Sequence, residues 1–494
     1  MNRSPRNCYC IFTFILVLLA TSTTWSQAVD KRQAITAGQP PAATVDQDQL
    51  EALPQSRGLY QILDDAKHPA DGWTMGGDVR LREVYFNNAI LLNDKAVGHE
   101  NHFQRYRLRW WNSVTPVEDV ELNVRLMWEF WHWNRPTEDT GFVYDSSREG
   151  PIYIDNLYLK LAHPFDLPAV VSLGRQDIIL GEGWLVIEGT PADLDRTIFF
   201  DAVRATWDLP QWHSTLDTIY IDQAGPNDDR LGTINDLEED LIEQDERGAI
   251  IYLSNQGIPD STVDAYFIYK HMEALPGTAR RTMGLNILSA GDNGDIHTLG
   301  GRFAHEMDEN WSFSLEGAKQ FGRKNGATLN AFGLNGRIVY AFNDPAKSAI
   351  HLGYEYLSGN DPATAQDEAF DILWGRWARY SELIGYAYFG EERGAEFTNM
   401  HRLQLGYHFS PADALEVCFD YHVLFADENT YAGASGFSDT GAVRGHLLTA
   451  LARYRFDEHW SAHLLGELFQ PSSYYDSTRN DLASFVRGEL MFVW

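Results

Sequence analysis

The chain has only three cysteines in 494 residues, and two of them, Cys8 and Cys10, fall within the first ten positions. Cys418 then stands alone, so no intramolecular disulfide can staple the fold. Long apolar runs are missing as well. The run from Ile11 to Ala20 is far shorter than the ~20 residues a membrane-spanning helix needs, and no later segment supplies one. Any membrane crossing must therefore be made with strands. Basic charge is scarce too: 39 Lys and Arg stand against 70 Asp and Glu, a formal net charge of −31. That balance excludes nucleic acid as a partner. Disorder is excluded by what is abundant, since 44% of residues are hydrophobic and 13% aromatic, more than a chain that fails to bury a core carries. A mean hydropathy of −0.34 fits strands that are apolar on one side only.

At the N-terminus, Arg3 and Arg6 precede the Ile11 to Ala20 run, and Thr21, Ser22, Ser26 and Ala28 follow it. This is the layout of a secretory signal peptide over residues 1–26. Cys10 has no small-residue context for lipidation. Residues 27–71, a mixture of Ala, Gln, Pro and Asp, are expected to form a periplasmic segment with short helices from Asp46 to Leu53 and around Leu59 to Ala66. From residue 72 to 494 turn residues recur without a break in composition, which predicts one continuous domain.

That domain is built of alternating segments. In Gly77-Asp78-Val79-Arg80-Leu81-Arg82 and in Arg105-Tyr106-Arg107-Leu108-Arg109-Trp110, arginines hold one parity and apolar residues the other; Glu121 to Phe130 repeats the pattern. A soluble sandwich would show the same alternation. The aromatics separate the two, because Tyr85, Trp110, Trp111, Trp128, Trp131, Trp133, Tyr407, Tyr454 and others gather towards segment ends, where interfacial girdles sit. The final Leu490-Met491-Phe492-Val493-Trp494 resembles the last strand of an outer-membrane barrel. We read about nineteen segments, Thr282 to Leu288 among them; a single-chain barrel closes with an even number, so about eighteen strands are expected, with sixteen to twenty allowed. The fold class is thus all-β: a transmembrane antiparallel barrel large enough for an aqueous lumen, located in an outer membrane. Short turns such as Asp308-Glu309-Asn310 and Asp457-Glu458 fit its periplasmic side. The stretches 136–150, 223–247, 358–398, 427–441 and 470–481 fit extracellular loops.

The inward parity should carry Arg80, Arg82, Arg105, Arg107, Arg109, Arg125 and Arg204, with acids such as Asp78, Glu129, Glu316, Glu355, Asp420, Glu467 and Glu489. Crowded guanidiniums in a confined lumen would hold a positive potential and offer paired donors to carboxylates or phosphates. A basic ladder can also serve only to balance acidic loops. The acidic run from Asp222 to Glu246 lacks the ligand spacing and central glycine of a calcium loop and fits a solvated loop. The histidines show no zinc spacing, so no metal, catalytic residue or cofactor is expected. His422 with Asp420 on one parity could orient a nucleophile, but no serine completes the set.

Gly174-Arg175-Gln176-Asp177, continued by Leu180-Gly181 and Phe200-Asp201-Ala202-Val203-Arg204, resembles the central signature of the bacterial alginate export family. The preceding Asn156 to Lys160 segment, the His401 to Phe409 segment and the Pro411-Ala412-Asp413-Ala414-Leu415 turn extend the resemblance. Ala202 stands where the family has Gly, and Trp184 where an arginine is expected. The resemblance implies a roughly eighteen-stranded channel with an electropositive constriction passing an anionic polysaccharide, and it points to Arg175, Gln176, Asp201 and Arg204. Expected partners are therefore an anionic polysaccharide or small anions, outer-membrane lipid and periplasmic export machinery. Glu129 and Asp201 would hold arginines in place. The alternatives are a general small-solute porin, decided by whether 358–398 folds into the lumen, and a barrel enzyme or surface scaffold. Replacing Arg107 and Arg109 with Ala is expected to lower anion preference while leaving folding nearly intact.

Overall fold

The computed structural model describes residues 58–136, 147–148, 150–187, 199–225, 231–235, 237, 244–274, 291–375, 379–389, 391 and 397–494. The expected signal peptide, most of the N-terminal segment, most of the acidic run and Thr282 to Leu288 lie outside them.

Eighteen long strands run in chain order: β1 Trp73–Asn87, β2 Glu100–Val117, β3 Val120–Arg135, β4 Ile152–Ala162, β5 Ala169–Gln176, β6 Phe200–Leu209, β7 Ser214–Gln223, β8 Asp245–Asn255, β9 Ser261–Glu273, β10 Gly294–Glu306, β11 Trp311–Lys324, β12 Ala327–Ala341, β13 Ala349–Leu357, β14 Met400–Ala412, β15 Leu415–Phe425, β16 Val443–Arg455, β17 Trp460–Pro471 and β18 Ala483–Val493. Each pairs antiparallel with the next, and β18 pairs with β1 to close the cylinder. Every strand overlaps one alternating segment of the sequence, so the even count follows once Thr282 to Leu288 is set aside.

Closure explains the C-terminal aromatic. Gly77 N donates to Trp494 O at 3.3 Å, and Trp494 N returns a bond to Gly77 O at 3.0 Å. A Cβ on Gly77 would lie 2.0 Å from the Trp494 ring, so the seam requires glycine there. The periplasmic turns use local chemistry. Asp308 Oδ1 accepts from the amides of Asn310 and Trp311, and Asp457 Oδ1 does the same for His459 and Trp460. The shared Asp-Glu-x-Trp sequence thus writes one Asx turn twice. Helix α1, Leu59–Lys67, lies where a helix is expected. It meets the periplasmic rim through Tyr60, stacked on His459 with ring centres 4.6 Å apart.

Parity divides the wall. Leu81, Leu299, Leu352, Leu403 and Phe419 are exposed on the outside, as a lipid-facing surface requires. One part of the girdle expectation fails: Trp131 and Trp133 face inwards in register with Arg105 and Phe103, and Trp133 packs on Phe103 at 4.2 Å between ring centres. Alternation put an aromatic at the strand end but not on its side of the wall.

Candidate functional site

Register brings the ladder together. Across β1 and β2, Asp78 faces Arg109, Arg80 faces Arg107 and Arg82 faces Arg105. Glu129 on β3 is opposite Arg107, and Glu489 on β18 is opposite Arg82. Like charges on neighbouring strands repel, so each arginine needs a carboxylate, and the wall supplies them. Arg82 donates through Nε and Nη2 to Glu489 at 2.8 and 2.6 Å. Arg109 Nε reaches Asp78 at 2.6 Å, Arg107 Nη2 reaches the same carboxylate at 3.3 Å, and Arg105 Nη2 reaches Glu129 at 3.1 Å. Arg105 also stacks on Trp131, its guanidinium carbon 3.9 Å from the ring centre. Arg487 joins from β18, paired with Glu382 and donating to His463 at 3.0 Å. Among the described residues six guanidiniums therefore face five carboxylates, Asp78, Glu129, Glu382, Glu467 and Glu489, an excess of one positive charge in a buried place. Water is largely excluded there, so that excess acts with little screening. Arg107 Nε and Nη1 are buried without a hydrogen-bond partner, leaving donor capacity on this side chain.

The other expected residues lie elsewhere. Arg125 is shared by Asp155 and Asp177, with all four contacts between 2.9 and 3.0 Å. Arg204 grips Asp217 at 2.8 and 3.0 Å on β6 and β7. Arg175 and Asp201 form a two-bonded pair at 2.8 and 3.0 Å. Their register matches that of the exposed Leu173 and Val203, but Gly174 at φ +123° interrupts the alternation and the Arg175 side chain is only 2% exposed. The pair is covered by Phe199 and bonded to the carbonyl of Leu231. It sits apart from the ladder and braces the rim. Gln176 likewise spends its amide on the carbonyls of Gly174 and Ala202.

The stretch between β13 and β14, read from sequence as an extracellular loop, turns into the barrel. Lys324 on β11 meets Asp371 at 2.8 Å, Trp374 Nε1 donates to Glu246 at 2.9 Å, and Lys270 Nζ donates to the carbonyl of Leu373 at 2.8 Å. The loop then forms helix α2, Glu382–Phe389. Glu467 on β17 caps that helix, accepting from the Ser381 hydroxyl at 3.0 Å and the Leu383 amide at 2.6 Å. Glu391 receives two bonds from Arg444, at 2.6 and 2.7 Å. A second inward segment, from Ile178 to Ile187, pairs with the first where Trp374 N donates to Leu185 O at 3.0 Å. Trp184 stacks on Phe370 and donates to Glu355 at 3.0 Å. The wall is shaped for this insert: a Cβ on Gly248 would fall 2.4 Å from the Trp374 ring.

Burial alone would raise the Asp371 carboxyl, but Lys324 and Lys270 outweigh it and hold it below the ordinary 3.8. A depressed value means that this tether stabilises the inserted loop at every pH above the ordinary value and weakens as acid protonates the carboxylate. Single-channel conductance should hold steady through the neutral range and rise only below about pH 3.8. Asp371→Asn should give the wider channel at pH 7, and equal conductance for variant and wild type at both pH values would refute the tether.

The sequence missed the insert's anchors because their partners are distant in the chain. Glu355, Glu467 and Lys270 had a signal in their inward parity, but nothing in it named the segment each would hold.

The model of the alginate export family matches residues 72–480. No curated protein matches the chain. Among solved structures, Pseudomonas aeruginosa OpdK with vanillate aligns at a TM-score of 0.54 and 11% identity, covering 85% of this chain and 98% of that one. Pseudomonas aeruginosa OccK3 (OpdO) aligns at 0.51 and 12%, covering 88% and 99%. Acinetobacter baumannii OccAB4 aligns at 0.51 and 12%, covering 85% and 98%. At such identities the likeness is one of fold, a porin-type barrel. The family match spans most of the chain, all of it within the closed eighteen-stranded cylinder, so this protein belongs to the alginate export family of outer-membrane barrels.

Proposed function

We propose that this barrel conducts anionic solutes, an anionic polysaccharide or oligosaccharide of the alginate type, by diffusion past the Arg80, Arg82, Arg105, Arg107, Arg109 and Arg487 cluster, without covalent chemistry. One observation carries the reading: the six guanidiniums stand in register on adjacent strands and outnumber the carboxylates described around them. A carboxylate passing this point exchanges hydration for charge-assisted bonds. Arg109, the least buried of the six, is the one placed to make them. Because the other guanidiniums are already held by acids, a solute would be bound weakly enough to leave, which conduction requires. Periplasmic machinery would deliver the solute to the rim where α1 lies.

A second reading, a porin for small carboxylates, is favoured by the insert. Trp374, Phe370, Leu383 and Tyr386 are buried in the outer half of the barrel, and a polymer needs that space. The refolded mature chain in a planar bilayer under a salt gradient separates the readings. An anion-selective reversal potential with current blocked by polyuronate is the expected result. Anion selectivity with block by short uronates but not by polymer would favour the second reading, and a non-selective current indifferent to both would overturn the ladder.

A further inference from the structure

The outside of the barrel carries its own charge pattern near the extracellular edge. Register aligns Asp222 on β7 with Arg247 on β8, Arg247 with His271 on β9, His271 with Asp295 on β10, and Asp295 with Arg323 on β11. These residues share one rung and point away from the lumen, as Gly248, Lys270 and Lys324 beside them point inwards. Arg247 and Arg323 are exposed, and the acids hold their neighbours in place: Arg247 lies 3.5 Å from Asp222, and His271 Nδ1 is 2.9 Å from Asp295. One rung below is an aromatic row of Tyr269, His297 and Phe321, and below that the apolar Ile251, Phe267 and Leu299.

Lys319 departs from this layering. It shares the apolar rung of Leu299 and Phe332, yet its Nζ reaches up one rung to Asn330 Oδ1. An amine that lays its stem along apolar side chains and lifts its charge to the interface is snorkelling, and the direction shows where the headgroups are. Among the described strand residues, the other outward-facing Lys or Arg is Arg135, paired with Glu100. In a chain of net charge −31, three exposed cations on four adjacent strands form a local exception.

We propose that the outward face of β8 to β11 at the extracellular edge binds the phosphorylated headgroup of the outer-leaflet glycolipid through Arg247, Lys319 and Arg323. Charge complementarity favours a phosphate over a zwitterionic headgroup. The depth at which Lys319 lifts its amine favours a lipid embedded beside the barrel over a soluble phosphate compound. Basic residues at a membrane surface each add to such attraction.

The test reconstitutes the full barrel in lipid nanodiscs containing bis-phosphorylated lipid A and counts lipid A molecules retained per barrel by native mass spectrometry. Combined Arg247→Gln, Lys319→Gln and Arg323→Gln should weaken retention by roughly tenfold or more, while Arg135→Gln leaves it unchanged. Heat-modifiable gel mobility confirms that each variant is folded. Equal retention of lipid A stripped of its phosphates would make the contact purely apolar and overturn the proposal, as would an equal loss in the Arg135 variant.

Discussion

Deleting residues 370–391 and joining the ends with a short Gly-Ser link should raise single-channel conductance several-fold while the barrel still folds. The strands close among themselves through β18 and β1, so the insert is not needed to complete the cylinder. An eighteen-stranded wall encloses more room than its own inward side chains fill. What fills the outer half is this segment, with Trp374 fully buried and Phe370, Leu383 and Tyr386 around it. Removing it would also uncover Arg487, Arg444 and Lys324, which give their charge to Glu382, Glu391 and Asp371 in the intact protein. The reversal potential should therefore move further towards anions as the conductance grows. Trp374→Ala is the milder version, since losing a buried Trp costs about 3–5 kcal/mol of packing; it should produce flickering between the native and wider levels. Native conductance in the deletion would mean that the Ile178 to Ile187 segment alone sets the constriction.

The second large effect concerns folding. Substituting Arg107 and Arg109 together with Met should destabilise the barrel by about 3–5 kcal/mol, because Asp78 would be left buried with its two hydrogen-bonding arginines gone. Adding Asp78→Asn should restore most of that stability without restoring anion preference. Urea unfolding in lipid vesicles measures the first quantity and the salt-gradient reversal potential the second. Separating them matters, because a ladder used for conduction and one that merely balances acids predict the same loss of stability but different selectivity. If the triple variant is as anion-selective as wild type, the ladder serves only to neutralise Asp78. The expectation from alternation alone, that lumen substitutions at these positions are nearly free, treats the lumen as watery throughout. Burial of the ladder argues against it: Arg107 and Asp78 are each 2% exposed.

The architecture was legible in the sequence because a barrel strand is a local pattern. Alternation, Asx turns such as Asp308 and Asp457, and a terminal Trp resting on Gly77 each depend on residues close in the chain or on the seam between its ends. The same pattern placed Arg80, Arg82, Arg105, Arg107 and Arg109 on one face, since parity within a strand needs no knowledge of the rest of the fold. Tertiary structure decided the remainder. Whether an arginine is free or held depends on a carboxylate far away in the chain, as Arg82 with Glu489 and Arg444 with Glu391 show. Arg175 and Asp201 match a sequence signature, yet they spend their charges on each other beneath Phe199, apart from the ladder. The inward course of the segment carrying Trp374 follows from glycine and charge on the wall opposite, Gly248, Lys270 and Lys324. The local pattern determines how each strand faces, because side chains alternate by geometry; what fills the lumen and which charges remain uncompensated is set by partners that only closure of the cylinder brings within reach.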